Sequence, residues 1–240
     1  MPKLLHADLY RCFHRLYLYL LAGVLAGICL LLNFQFRQNG NIAVEDAWMI
    51  ALNQLFGYPL LIIPMLSDIV YSEEWREHTL KNTIAYGAGR GAVYFSKIVT
   101  CVFLGLFLAA AVLGVFCLSS LLLLPRGAGF NAGLVGFFFG RFAALCSVYI
   151  GSITVAAFFT IFLHRGALAT FVYYAAMYLS RYLFVLLHIP QAAGYLLESQ
   201  IQPIVSGSPD AVWQAVFIGA GTFAVFLAGG TVLFRRSDVD

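Results

Sequence analysis

Three kinds of side chain in this sequence could do chemistry: neighbouring acids, cysteines, and cations set in apolar surroundings. Glu73 and Glu74, with Arg76 close by, are the densest acid–base group, and paired carboxylates can activate a water. They lie in a polar stretch rather than inside an apolar run, so a solvated, salt-bridging helix end is the better account of them. Cys12, Cys29, Cys101, Cys117 and Cys146 have no CxxC pairing and no His at metal-ligand spacing. Four of them lie inside apolar runs, where a thiol acts as a small hydrophobe, so neither a disulfide framework nor a zinc site is expected. The run Gly87 to Gly91 has the glycines of a dinucleotide loop but no strand before it, and no G-x-x-x-x-G-K-[ST], G-x-S-x-G or H-E-x-x-H pattern occurs. The expectation is a chain that catalyses nothing by itself, holds no cofactor or metal and binds no nucleic acid.

The cations Arg141 and Arg181 are the third kind. Both fall inside apolar runs at similar distances from the ends, with no acid at hand to pair with. An ionisable residue there faces a cavity, finds carbonyl partners or snorkels to the lipid headgroups. Phe171, Tyr174, Tyr178, Arg181 and Tyr182 share one broad helical face, with Tyr173 and Phe184 beside it. Apolar rings with hydroxyls and a cation suit an amphipathic cargo, and equally suit a packing seam between helices. Asn53, Gly57, Pro64 and Asp68 form a second polar stripe, with Gln54 and Tyr58 adjacent; Pro59 and Pro64 weaken that helix and permit a kink. The cargo-cavity candidates are Asn53, Tyr58, Arg141, Phe171, Tyr174, Tyr178 and Arg181.

The elements that position these residues follow from composition. Hydrophobic residues make up 62% of the chain and charged residues 10%, against about 25% charged in a soluble domain. So few charges cannot clothe a surface in water, and the solvent for most of it is lipid: a polytopic, all-α membrane protein. Six apolar segments, at about 16–34, 48–70, 98–124, 134–163, 167–189 and 212–234, approach or exceed the ~20 residues of a transmembrane helix. The fourth is long enough to tilt, or to break near Gly151 and Ser152. Before them, residues 3–15 alternate apolar and basic at helical spacing and predict a short helix in the membrane interface. The 190–211 loop reads as one or two short helices dipping into the outer interface. Small-residue pairs Gly23/Gly27 and Gly136/Gly140 permit close helix packing, within or between copies.

Basic residues set the orientation. With the N-terminus inside, ten Lys and Arg fall on the cytoplasmic side and only Arg37 and Arg126 outside. Both termini and the polar stretch 71–97 are then cytoplasmic. That stretch divides into a charged helix end (Glu73 to Glu77), a short helix over 80–86 capped by Thr79 and ended by Gly87, and a glycine bend around Arg90. From Ala92 the chain restarts as a helix and runs, past Lys97, into the third span.

This arrangement resembles the type-2 ABC transporter permeases. In that family the loop between the second and third spans carries a pattern near E-x-x-x-G-T-[LI]-K-N, then a short helix, then G-x-S-R, an aromatic and a Lys. Glu74, Thr79, Leu80, Lys81 and Asn82 match the first part, and Gly87, Gly89, Arg90, Tyr94 and Lys97 the second. His78 stands where the pattern has Gly, and Gly89 where it has Ser. The resemblance implies one transmembrane domain over 1–240, with 3–15 as an elbow helix and 80–86 as a coupling helix on a separate ATPase subunit, which would bind the ATP and Mg. Contact with that partner would fall to Glu74, His78, Thr79, Leu80, Lys81, Asn82, Tyr86 and Arg90. The same resemblance implies a second permease copy, a homodimer, in a bacterial plasma membrane. It also implies export, with the second and fifth spans lining the path. Short outer loops and the aromatic, cation-bearing face suggest apolar or amphipathic cargo, as in exporters of bacteriocins and phenol-soluble modulins. Multidrug efflux is the nearest alternative, and an intramembrane enzyme the competing class.

Overall fold

The structure, a computed structural model, describes residues 2–38, 40, 42–76, 89–163 and 166–236. Among the described residues every regular element is helical. The helix expected over 80–86 lies outside them. The first helix, α1 (Pro2–Phe13), is amphipathic: Asp8 and Cys12, one turn apart, are buried, while His6, Tyr10 and Arg11 are exposed. A short turn at His14 and Arg15 leads into α2 (Leu16–Gln38).

The second apolar segment is a broken helix. α3 (Val44–Gln54) tightens into a 3-10 turn at Leu55–Gly57, and α4 (Pro59–Arg76) sets off at 53° to it. The break falls where Pro59 has no amide to continue the ladder, as the prolines of this segment predict. α5 (Arg90–Leu123) is 34 residues long and stops at Leu124, which is extended (ψ 149°) because the following Pro125 disfavours the helical region. α6 (Ala132–Leu163) starts where the Asn131 side chain accepts the Leu134 amide at 2.8 Å. It then runs unbroken through Gly151 and Ser152, so the break entertained there from sequence does not occur.

The fifth apolar segment is α7 (Gly166–Tyr174), a π turn (Ala175–Leu179) and α8 (Ser180–Leu186), ended by His188 at φ +59°. One helical turn, α9 (Pro190–Ala193), a 3-10 turn at Glu198–Gln200 and α10 (Ile201–Ser206) make up the loop expected to carry short helices. α11 (Pro209–Arg236) closes the chain. By length and composition α2, α5, α6 and α11 can each cross a bilayer, and the bent α3–α4 pair makes a fifth crossing if taken as one span. The pieces of the α7–α8 segment have 9, 5 and 7 residues, so none reaches bilayer length alone.

α6 is the hub. Two-thirds (67%) of its apolar window is buried, against 11% for α2 and α11, and it packs on α11, α4, α5 and α7. Its backbone closely approaches that of α11 through glycines: a Cβ at Gly219 would sit 2.6 Å from the Ser147 carbonyl oxygen, and one at Gly151 would sit 2.9 Å from that of Gly219. Helices in lipid associate through such close backbone contact, because apolar side chains gain little by leaving lipid for protein.

At one end of the molecule the loops lock together. Val44 donates its amide to the Pro125 carbonyl at 3.0 Å, and the Glu45 carboxylate accepts the amides of Gly127 and Gly129, each at 3.1 Å. A Cβ on Gly127 would occupy the space of that carboxylate, so a larger residue there would displace Glu45 from these amides. Below it, Trp48 donates to Ser120 at 2.8 Å and Asn33 to Phe116 and Ser119, tying α2 and α3 to the last turns of α5.

Candidate functional site

Proline removes an amide that the carbonyl four residues earlier would normally use. In α4, Pro64 strands the Leu60 carbonyl in this way, and the fully buried Tyr173 of α7 donates its hydroxyl to it at 3.0 Å. Tyr174 donates to the next carbonyl, Leu61, and Tyr149 of α6 donates to Phe56 at 2.7 Å, in the turn where the helix breaks. Three tyrosines thus brace the kinked segment from two neighbouring helices. α4 and α7 therefore lie side by side, and tyrosine hydroxyls join them.

The cargo-cavity candidates fall into separate environments. Tyr174 serves the brace, and half-buried Tyr178, in the π turn, packs its ring 6.3 Å from that of Tyr174. Phe171 and Tyr58 are exposed, 70% and 56%. Asn53 is exposed and donates to the Met49 carbonyl of its own helix at 2.8 Å. Arg141 stands on Phe137, with its guanidinium 4.8 Å from the ring centre, and donates to the carbonyls of Ile204 (2.8 Å) and Gly207 (3.1 Å). It thereby caps the C-terminal end of α10.

Arg181 does have an acid nearby, contrary to the reading of the linear sequence. The loop folds Glu198 back to within electrostatic range of it. Burial raises the Glu198 carboxyl above the ordinary carboxylate range, and the Arg181 charge only partly offsets this. Arg141 thus holds the 190–211 loop through two of its carbonyls, while Arg181 only places a positive charge near it. Buried Gln200 stiffens the same loop by donating to the Gly194 and Leu196 carbonyls.

At the opposite end of α6 lies the described edge of the polar stretch. His78, Thr79, Leu80, Lys81, Asn82 and Tyr86 lie outside the described residues, as does the side chain of Glu74. Arg90, the first residue of α5, donates to the Arg235 carbonyl at 3.4 Å, which fastens α5 to the last turn of α11. One turn on, Tyr94 donates to the Phe226 carbonyl at 3.0 Å, and its ring fills the space that a Cβ on Gly230 would need. Lys97 is buried and bonds Asp8 of α1 at 2.6 Å, while Ser96 donates to the other oxygen of the same carboxylate at 2.9 Å. Arg15, also buried, donates to the Ile69 carbonyl of α4. Both helices that flank the polar stretch are therefore bonded to α1 or its junction with α2.

Sequence reasoning passed over Tyr149, Asp8 and Glu198. Asp8 carried a readable signal, as the one acid in an otherwise basic amphipathic helix. Tyr149 and Glu198 carried none, since their partners are a carbonyl on another helix and a cation brought close only by the fold. Among the described residues no group of His, Cys, Asp and Glu could hold a metal ion.

In comparison with known families, residues 13–180 match the profile described as "ABC-2 family transporter protein". No curated protein and no solved structure matches the chain.

Proposed function

Because this chain belongs to the ABC-2 family of transporter proteins, we propose that it is the membrane subunit of an ATP-driven exporter and works as a homodimer with a separate ATPase. ATP and Mg bind that partner, and this chain hydrolyses nothing. Six crossings, with α7–α8 as the fifth, put both termini and the polar stretch on the cytoplasmic side of a bacterial plasma membrane. The 80–86 segment seats on the ATPase.

The observation that carries this reading is the double fastening of α5. Arg90 joins it to α11 and Lys97 joins it to α1, so a push delivered just before Arg90 moves three helices as one body. A lever that rocks rigid parts needs such a connection. On the other side of the stretch, α4 is kinked at Pro59 and braced by tyrosines, which suits a part that changes angle while its neighbours hold it. The exposed rings of Tyr58 and Phe171 support apolar or amphipathic cargo such as peptide toxins or bacteriocins.

Co-expression with an adjacent ATPase tests the reading. Leu80→Asp and Lys81→Glu should leave the complex able to hydrolyse ATP while transport in vesicles is lost. Transport at the native level in both variants, or a chain that never co-isolates with an ATPase, removes the proposal. Stimulation of the ATPase by small drugs but not by amphipathic peptides would shift the cargo to drugs.

A further inference from the structure

The 190–211 loop does not stay at the end of the bundle. Buried Leu197 lies where α6 and α11 cross: a Cβ on Gly151 would meet the Gly219 carbonyl oxygen at 2.9 Å and Leu197 Cδ2 at 3.3 Å. Gly219 lies about 15 Å along α11 from its start at Pro209. The hydrocarbon core of a bilayer is about 30 Å thick, so the tip of the loop reaches well below the level of lipid headgroups. Buried Gln200 fixes the shape of that tip through the Gly194 and Leu196 carbonyls.

Glu198 stands between these two anchored residues. It is half-buried and within electrostatic range of Tyr178 in the π turn and of Arg181 one turn further on. Among the described residues none of the three side chains makes a hydrogen bond or a close ion pair. A π turn inside a helix is an uncommon element that frequently marks functional sites.

The three groups define what they could hold. Arg181 offers only donors, the Glu198 carboxylate only acceptors, and the Tyr178 hydroxyl either. A plain anion is repelled by Glu198 and a plain cation by Arg181, while an apolar molecule leaves both charges unpaired. An ammonium with an acceptor oxygen beside it satisfies all three. In a peptide that group is the free amino terminus, next to the first carbonyl. Exposed Phe171 and Tyr182, before and after the cluster on the same segment, can receive apolar residues behind it.

We propose that Tyr178, Arg181 and Glu198 bind the free amino terminus of an amphipathic peptide. The ammonium pairs with Glu198, and the first carbonyl accepts from Arg181 and the Tyr178 hydroxyl. This rests on the reading of the chain as a subunit that carries amphipathic cargo, and names the part of the cargo that is recognised. A phosphoethanolamine headgroup has similar chemistry but belongs at the membrane surface rather than at this depth.

The test is fluorescence anisotropy with the purified full chain in detergent and a synthetic Leu/Gln amphipathic helix, labelled at its C-terminus and either free or acetylated at its N-terminus. Acetylation should weaken binding by about tenfold, the worth of one charged hydrogen bond. Glu198→Gln should weaken the free peptide equally and leave the acetylated one unchanged, whereas Arg181→Gln should weaken both. Equal binding of the two peptides, binding of neither, or an unchanged Glu198→Gln variant overturns the proposal. Displacement of the free peptide by phosphatidylethanolamine but not by phosphatidylcholine would make this a lipid site, which also overturns it. Should a variant fail to fold, the two peptides on the native chain decide. No ATPase is present, so failure here is distinct from failure of the chain to co-isolate with one.

Discussion

The Tyr173 hydroxyl donates to the Leu60 carbonyl, and Leu60 is the residue four positions before Pro64. The proline creates a buried acceptor and the tyrosine of another helix fills it, so neither residue is explained without the other. Tyr173→Phe leaves that acceptor unsatisfied and should cost about 1–3 kcal/mol in denaturant unfolding in detergent. Pro64→Ala restores the missing amide. In the Pro64→Ala background the same Tyr173→Phe change should cost much less, a coupling of about 0.5 kcal/mol or more in a double-mutant cycle. Simple additivity would show that the hydroxyl is not there to serve the proline.

The Asp8–Lys97 pair makes a prediction of the opposite form. Removing one partner of a buried pair strands a charge, so Asp8→Ala or Lys97→Met should each destabilise by about 3–5 kcal/mol. Replacing both by apolar residues of similar size, Asp8→Leu with Lys97→Met, should recover most of the loss. If the double variant is as unstable as either single one, the pair does more than satisfy itself.

The large features were readable from one sequence because lipid leaves so little choice. Long apolar runs gave the all-helical class, and the prolines at 59 and 64 the place of the bend. What stayed hidden depends on long-range closure. Arg141 and Arg181 stood out as cations in apolar runs, but what lies near them, the carbonyls at the end of α10 and the Glu198 charge, is some 17 to 66 positions away along the chain. The tyrosine stripe was seen as a surface for cargo, yet Tyr174 within it and Tyr173 beside it spend their hydroxyls on carbonyls that belong to a different helix. A side chain that bonds backbone leaves no complementary residue type for a pattern to detect.

Glu198 offers a pH prediction with a definite sign. Its carboxyl is raised above the ordinary range, chiefly by burial, so the folded chain holds this proton to higher pH than the unfolded chain does. This contribution to stability is therefore fullest below the ordinary carboxylate pKa and falls as pH rises through the folded value. Glu198→Gln should remove that slope from a plot of melting temperature against pH, and at neutral pH should be neutral or mildly stabilising. Marked destabilisation at neutral pH would mean that the Arg181 attraction outweighs the desolvation.

Two sets of glycines separate packing within the chain from whatever packs against it. A Cβ on Gly219 would lie 2.6 Å from the Ser147 carbonyl oxygen, which is backbone and cannot swing aside, whereas one on Gly23, Gly27, Gly136 or Gly140 would meet nothing within 4 Å among the described residues. Gly219→Ala should therefore force α6 and α11 apart, at about 1–3 kcal/mol, while Gly136→Ala should leave the melting temperature unchanged or raised, since Ala is the better helix former. Among the described residues, the small-residue pairs Gly23/Gly27 and Gly136/Gly140 therefore form no seam within the chain. If Gly136→Leu keeps the fold but abolishes self-association in a cross-linking assay, that face of α6 is where two copies meet. If association survives both Gly136→Leu and Gly23→Leu, the copies meet on another surface.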